Sequence, residues 1–465
     1  MNVSHEVSED LNGTLTVSIE SADYADNVTA QLKDYKKKAD MPGFRKGHVP
    51  MGMVKKMYGN SVLGEQINKI LGTEIDKYIN ENKLPILGQP IPIADESIKF
   101  DVNNMGDIKF SYKIGVAPEL TVEVTDKDKF TANKIKVDEK LIEKYSDDVR
   151  RQYGKFSSID KAGDKDMLNG VFTELNEAGE IKEGGISHKS TISIEFVEDA
   201  KLKKTLKGLK KGDTLTLNPK DVSKGDEDLA KMLNIGMVQV NEISDSFSFS
   251  VEEIFHVEPA DLDQELFDKL YGKDNVKSVE EFHAKITDEL EKIFKRYEDI
   301  QFYKDIKTAY LKKFDHALPD AFLKEFLEQS KEYGDAAAVE AEYPKYAEGL
   351  KWNLIEGAIS KKHDLAINQE ELMNFTKESL KGQFAQYGMA DPDDKLLSET
   401  ANNVLKNEEE YRKIYEDLYF AKMMDFYKKT VKIKDKSVTY DEFVKLATGE
   451  APKKGLMGSL TNLFG

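Results

Sequence analysis

The 465 residues contain no cysteine, which excludes disulfides and thiolate chemistry. No run approaches the ~18 apolar residues that a membrane span needs. The N-terminus, Met1-Asn2-Val3-Ser4-His5-Glu6, lacks the basic-then-apolar order of a secretion signal. A cytoplasmic protein without membrane contact is expected. The seven histidines (5, 48, 188, 256, 283, 316, 363) are scattered, none paired at i, i+4 or clustered with Asp or Glu. No metal site is therefore expected. Neither Gly-x-x-x-x-Gly-Lys-Ser/Thr nor Gly-x-Gly-x-x-Gly occurs, so nucleotide hydrolysis has no support, and Gly-x-Ser-x-Gly is missing as well. Carboxylates are abundant but fall mostly on solvated helix faces. No catalytic residue and no cofactor are assigned.

Positive charge is also in short supply. Lys and Arg number 68 against 86 Asp and Glu, a formal net charge of -18. That balance favours solubility and argues against a general nucleic-acid binder. Residues 23–56 run the other way, with eight Lys/Arg (33, 36, 37, 38, 45, 46, 55, 56) against four Asp, a local balance of +4. An acidic protein with one basic patch is expected to meet nucleic acid through that patch only. The length suggests about three domains, and periodic apolar residues throughout argue against disorder.

Within the basic stretch lies Met41-Pro42-Gly43-Phe44-Arg45-Lys46-Gly47-His48-Val49-Pro50. Pro42-Gly43 is a turn dipeptide, Gly47 frees the backbone again, and Pro50 has the fixed φ suited to opening a helix. An aromatic, a guanidinium and an ammonium thus share the tip of a tight loop. Arg can grip phosphate with two donors, Lys adds a point charge, and Phe can stack on a base or fill an apolar notch. The alternative is a basic turn with Phe44 folded back into the core.

This segment resembles the ribosome-binding signature of the trigger factor family, Gly-Phe-Arg-x-Gly-x-x-Pro, matched from Gly43 to Pro50 without a mismatch. Met57-Tyr58-Gly59 and the helix around it are also similar, and a weaker likeness runs along most of the chain. The resemblance implies an α+β, multidomain fold. It would have an N-terminal α+β ribosome-binding domain, an FKBP-like β-rich middle domain and elongated all-α C-terminal arms. It implies an ATP-independent chaperone that docks at the ribosomal exit tunnel, on rRNA and an exit-tunnel protein, and shields nascent polypeptides. Gly43, Phe44, Arg45, Lys46, Gly47 and Pro50 would form the dock. A weak homodimer of the free protein belongs to the same expectation.

Along the chain, residues 1–117 read as the ribosome-binding domain. Leu15, Val17 and Ile19 alternate as a strand, and Tyr24, Val28, Leu32 and Tyr35 recur at helical spacing, as do Val62, Leu63, Ile67, Ile70, Leu71, Ile75 and Tyr78. Ile98, Phe100 and Val102, then Ile108 to Val116, read as two strands of a hairpin turning at Asn103-Asn104-Met105-Gly106. Residues 118–155 read as a linker with a charged helix, Asp138 to Gln152, and Phe156 stands where the family has an aromatic.

Residues 156–257 alternate in short runs, with a bulge signalled at Glu252-Glu253. By Gly184-Gly185 and Gly208-Leu209-Lys210-Lys211-Gly212-Asp213 this stretch resembles an FKBP-type prolyl isomerase. Such a domain seats proline in an aromatic cup that favours the twisted amide, against a barrier of ~18–20 kcal/mol. Here the domain reads as degenerate. Ile181 stands where the family has Phe, and Asp199-Ala200-Lys201-Leu202 where it has Ile-Pro-Gly-Phe. Phe172, Ile181 and Leu202 are the pocket remnants, although a lone strand Phe also reads as core. Residues 218–237 read as a longer flap. Weak or absent isomerase activity is expected, an active peptidyl-prolyl isomerase being the alternative. A ribosome-free holdase of the envelope kind is the third reading.

Residues 258–450 read as almost entirely helical. One stripe, Phe282 to Tyr297, belongs to a helix that would reach roughly 55 Å if it ran from 279 to 315. Narrow apolar stripes between charged rims suit helical arms with dispersed contacts for unfolded chains, and equally suit ordinary helix packing. Residues 451–465 read as a flexible tail, with Leu456, Met457, Leu460, Leu463 and Phe464 on one helical face.

Overall fold

The computed structural model describes residues 1–449 apart from 41, 43, 96, 97, 99, 331–333, 387, 388, 390 and 391. The expected tail at 451–465 lies outside the described residues. The chain divides into two compact units, Met1–Lys129 with Asp305–Lys432, and Phe130–Lys304 with the residues from Ile433.

The first unit begins with β1 (Asn2–Val7) and β2 (Asn12–Ile19), followed by α1 (Ser21–Lys38) and α2 (Met51–Glu81), then β3 (Ile91–Pro92) and β4 (Ile108–Gly115). The antiparallel sheet has the order β1-β2-β4-β3. Leu15, Val17 and Ile19 are buried on one face of β2, as the period-2 pattern requires. Tyr24, Val28 and Leu32 of α1, with Val62, Leu63, Ile67 and Leu71 of α2, pack into the same core. The expected hairpin does not form. Of its first arm, Ile98 and Phe100–Val102 lie outside any strand, and β4 pairs instead with β2 and β3. The alternation there records burial against α2. The Val102 amide donates to Asn60 Oδ1 at 3.1 Å, and a Cβ on Gly59 would lie 2.5 Å from Val102 Cγ1.

In the second unit, β5 (Lys129–Ile135) leads to α3 (Glu139–Gln152), which starts at Asp138 as expected. The middle region carries β6 (Lys155–Ser158), β7 (Met167–Glu174), β8 (Ser187–Ser193), α4 (Ala200–Leu206), β9 (Thr214–Leu217), α5 (Asp226–Leu233) and β10 (Phe247–Glu258). The sheet order is β6-β10-β7-β8, with β9 also on β10. The register shifts between Val251 and Glu253, where the bulge was expected. The stretch expected as a flap is packed down: Leu229, Met232 and Leu233 of α5 are buried in this core beside Phe172, Phe247 and Phe249.

Two helices follow, α6 (Gln264–Tyr271) and α7 (Val279–Lys313), the latter ~50 Å long. Its first part, through Lys304, belongs to the second unit and its last turns to the first. Phe282, Ile286, Leu290 and Phe294 are buried along it. The C-terminal helices of the first unit are α8 (Asp320–Ser330), α9 (Ala336–Lys362), α10 (Gln369–Gln386), α11 (Asp394–Val404) and α12 (Glu408–Thr430). The helical C-terminal region also holds one strand, β11 (Lys432–Val438), before α13 (Tyr440–Thr448). β11 pairs with β5, inside the stretch expected to be only a linker. Lys432 to Val438 lacks an apolar i, i+4 stripe, and its β-branched Ile433 and Val438 suit a ladder. Tyr440, Phe443 and Val444 of α13 join Leu141, Phe267 and Phe282 in one cluster.

Within the first unit α8 packs on the sheet. The Phe322 amide donates to Asn12 Oδ1 at 3.0 Å, Lys113 pairs with Glu325 at 2.6 Å, and a Cβ on Gly115 would overlap the Phe322 ring. Gly115→Ala is expected to cost about 1–3 kcal/mol through overpacking. In urea unfolding its midpoint should fall, and adding Phe322→Ala should recover part of the loss rather than sum with it.

Candidate functional site

The basic loop is held at both ends and open at its tip. α1 closes with Lys36, Lys37 and Lys38, cations suited to the negative end of the helix. Its C-cap residue Ala39 accepts the Gly47 amide at 3.2 Å, and His48 N donates to Arg45 O at 2.9 Å. Gly47 has φ +80, and a side chain there would meet Lys37 O at 3.3 Å, so this turn requires glycine. Val49 is buried in the core. Pro50, with φ -59, caps α2, and its carbonyl accepts the amides of Met53 and Val54. Gly43 lies outside the described residues.

Phe44, Arg45 and Lys46 are all exposed. Phe44 is 38% exposed and is not among the side chains of the core. Among the described residues neither Arg45 nor Lys46 has an ion pair, whereas Lys37 is paired with Asp34 at 2.9 Å. Three further apolar side chains near the loop in sequence are exposed: Tyr35 of α1, and Met53 and Met57 of α2. Tyr35 lies against Tyr58, ring centroids 5.4 Å apart. The exposure of the two methionines was not read from the sequence, although their i, i+4 spacing sets them on one face of α2. The loop therefore offers cations and apolar groups together, without a group poised for bond making.

The proposed pocket remnants of the middle region are not assembled. Phe172 is fully buried, its ring 4.6 Å from that of Phe249, and serves as core. Leu202 is half-buried on α4 against the same core. Ile181 is 72% exposed and lines nothing. Asp199 caps α4, accepting the Leu202 amide at 2.7 Å, so Asp199-Ala200-Lys201-Leu202 opens a helix whose side chains are not aromatic. Phe156, expected to stand in for a family aromatic, is 60% exposed.

Two carboxylates of this region are buried, and both hold backbone in place. Glu174 accepts from Lys182 Nζ at 2.6 Å and from the amides of Ile186 and Ser244, each at 3.0 Å. Burial alone would raise its pKa; these donors outweigh that and hold it below the usual carboxylate value. Asp166 accepts the Gly163 amide at 2.5 Å and meets His256 Nδ1 at 2.6 Å. No hydroxyl is hydrogen-bonded to His256 among the described residues, so the pair lacks a nucleophile. Among the described residues no three His, Asp or Glu side chains gather as metal ligands, and no helix is long and apolar enough to cross a membrane.

Comparison with known proteins places this geometry. Residues 1–149 match the family model "Bacterial trigger factor protein (TF)". Residues 156–259 match "Probable trigger factor, FKBP-like domain", and residues 298–447 match "Probable trigger factor, C-terminal domain". Trigger factor of Chlorobaculum tepidum is 24% identical over 393 residues, 81% of this chain and 85% of its own length. That of Francisella tularensis subsp. mediasiatica is 23% identical over 471 residues, covering 96% and 98%. That of Gluconobacter oxydans is 23% identical over 478 residues, covering 97% and 100%. A solved structure of the trigger factor chaperone aligns with 92% of this chain and 99% of its own at 16% identity, with a TM-score of 0.42. With three parts matched in order and relatives matched nearly end to end, this chain belongs to the trigger factor family.

Proposed function

We propose that the chain is an ATP-independent chaperone of the cytoplasm, that it docks on the ribosome near the exit tunnel, and that it shields nascent polypeptides there. The family's partners are the ribosome and nascent chains. The observation that carries the reading is the exposed Phe44-Arg45-Lys46 tip, presented on a loop whose two ends are tied to α1 and α2. Arg45 and Lys46 would meet rRNA phosphate, and Phe44 an apolar notch or an unstacked base. Residues 1–117 act as the docking domain.

Residues 258–450 act as the client-binding arms. They keep apolar groups in water, including Leu396 and Tyr411. On α12 the rings of Tyr411, Tyr415 and Tyr419 stack in sequence, 6.2 and 6.4 Å apart. Tyr411 is the exposed end of this row, and dispersed groups of that kind support many weak contacts and fast release. The middle domain, 156–257, serves as a spacer with a degenerate isomerase cup. The burial of Phe172 and the exposure of Ile181 support that reading.

Co-sedimentation with ribosomes tests the docking. Phe44→Ala with Arg45→Ala and Lys46→Ala should abolish pelleting. Wild-type affinity should fall about 40-fold between ~50 and ~200 mM salt, as for three phosphate contacts. Equal pelleting of both proteins would remove the loop from the interface. In a separate assay on a proline tetrapeptide, catalysis should be weak or absent, and a rate matching intact family isomerases would restore the enzyme reading.

A further inference from the structure

A second basic surface lies in the middle domain, outside the loop that the sequence reading took as the only one. Residues 156–259 carry 13 Lys against 20 Asp and Glu, yet six of those lysines (201, 203, 204, 207, 210, 211) fall between Asp199 and Asp213. Against those two Asp the balance within the segment is +4, with Glu195 and Glu198 just before it. α4 turns its apolar side inward: Leu206 is buried and Leu202 half-buried in the domain core. Two of the cations are used locally, Lys203 donating to Glu195 O at 2.9 Å and Lys207 pairing with Asp164 at 2.7 Å. Lys201, Lys204, Lys210 and Lys211 are exposed and have no carboxylate partner among the described residues. Lys161 joins them, because its backbone bridges to Lys210.

The segment is firmly placed. Gly208 N donates to Ala162 O at 2.9 Å, Ala162 N to Leu209 O at 3.0 Å, and Lys210 N to Asp213 Oδ2 at 2.8 Å. In a protein of net charge -18, exposed cations on a fixed stretch of backbone are a place for an anionic partner. None of the large exposed apolar side chains falls between residues 199 and 213. A peptide site would want an apolar notch beside its charge. Bare ammonium groups suit repeated phosphates, held by charge and not by base stacking.

We propose that α4 and the Gly208–Asp213 turn form a second, sequence-independent contact for the phosphate backbone of RNA. The middle domain, having lost its proline cup, would then be a tether to RNA. The proposal goes beyond the docking loop and draws on the ribosome reading only for where such RNA is met.

The test is anisotropy of a labelled RNA hairpin of about 16 base pairs, titrated with the full chain at ~50 mM salt. The variant lacking the loop tip (Phe44→Ala, Arg45→Ala, Lys46→Ala) should still bind, and lose on the order of 100-fold in affinity by ~200 mM salt, as for four phosphates. Adding Lys201→Gln, Lys204→Gln, Lys210→Gln and Lys211→Gln should reduce that binding at least tenfold. Arginine at the same four positions should restore it, which separates lost charge from lost folding. Unchanged RNA affinity in the glutamine variant would overturn the proposal. So would tighter binding of a polyglutamate peptide than of RNA through the same lysines. Failure of wild-type pelleting with ribosomes, with the hairpin result intact, would count against the docking reading alone.

Discussion

The burial of Leu15, Val17 and Ile19 of β2 under α1 and α2 is the contact on which the basic loop depends. A Phe held in water is unfavourable, and a free loop would relieve that by folding the ring inward. Here the two helix ends are fixed by the core, Gly47 is bonded back to Ala39, and Val49 takes the buried position. Geometry then leaves Phe44 outside.

The same division between frame and surface runs through the remaining chain. The five-stranded sheet of the middle domain keeps Phe172, Phe247 and Phe249 as core. Glu174 and Asp166, the buried carboxylates of this domain, are occupied with backbone and side-chain donors. Nothing there resembles acid–base machinery. The proposed function asks only for exposed cations and apolar groups in weak, reversible contact.

Much of the fold was legible in periodicity. β2, α1, α2 and α7 followed from their apolar spacing, and the bulge at Val251–Glu253 followed from a broken alternation. The failures share one cause, that a local pattern does not name the partner. The alternation from Ile98 to Val102 was real, but its partner was a helix through Asn60 and Gly59 rather than a second strand. The pairing of β5 with β11 joins residues about 300 positions apart, and no short-range signal announces it. At the sites, the Phe-Arg-Lys tip could be read because turn residues flank it. The exposure of Ile181 could not, since it depends on how the strands around it end.

A photoreactive phenylalanine analogue at position 44, in the full chain on translating ribosomes, tests the central claim most directly. The account predicts crosslinks to ribosomal components beside the exit tunnel, lost at high salt and in the presence of excess wild-type protein. Crosslinks confined to the chain itself, with ribosomes still bound, would mean that Phe44 faces inward and that docking lies elsewhere.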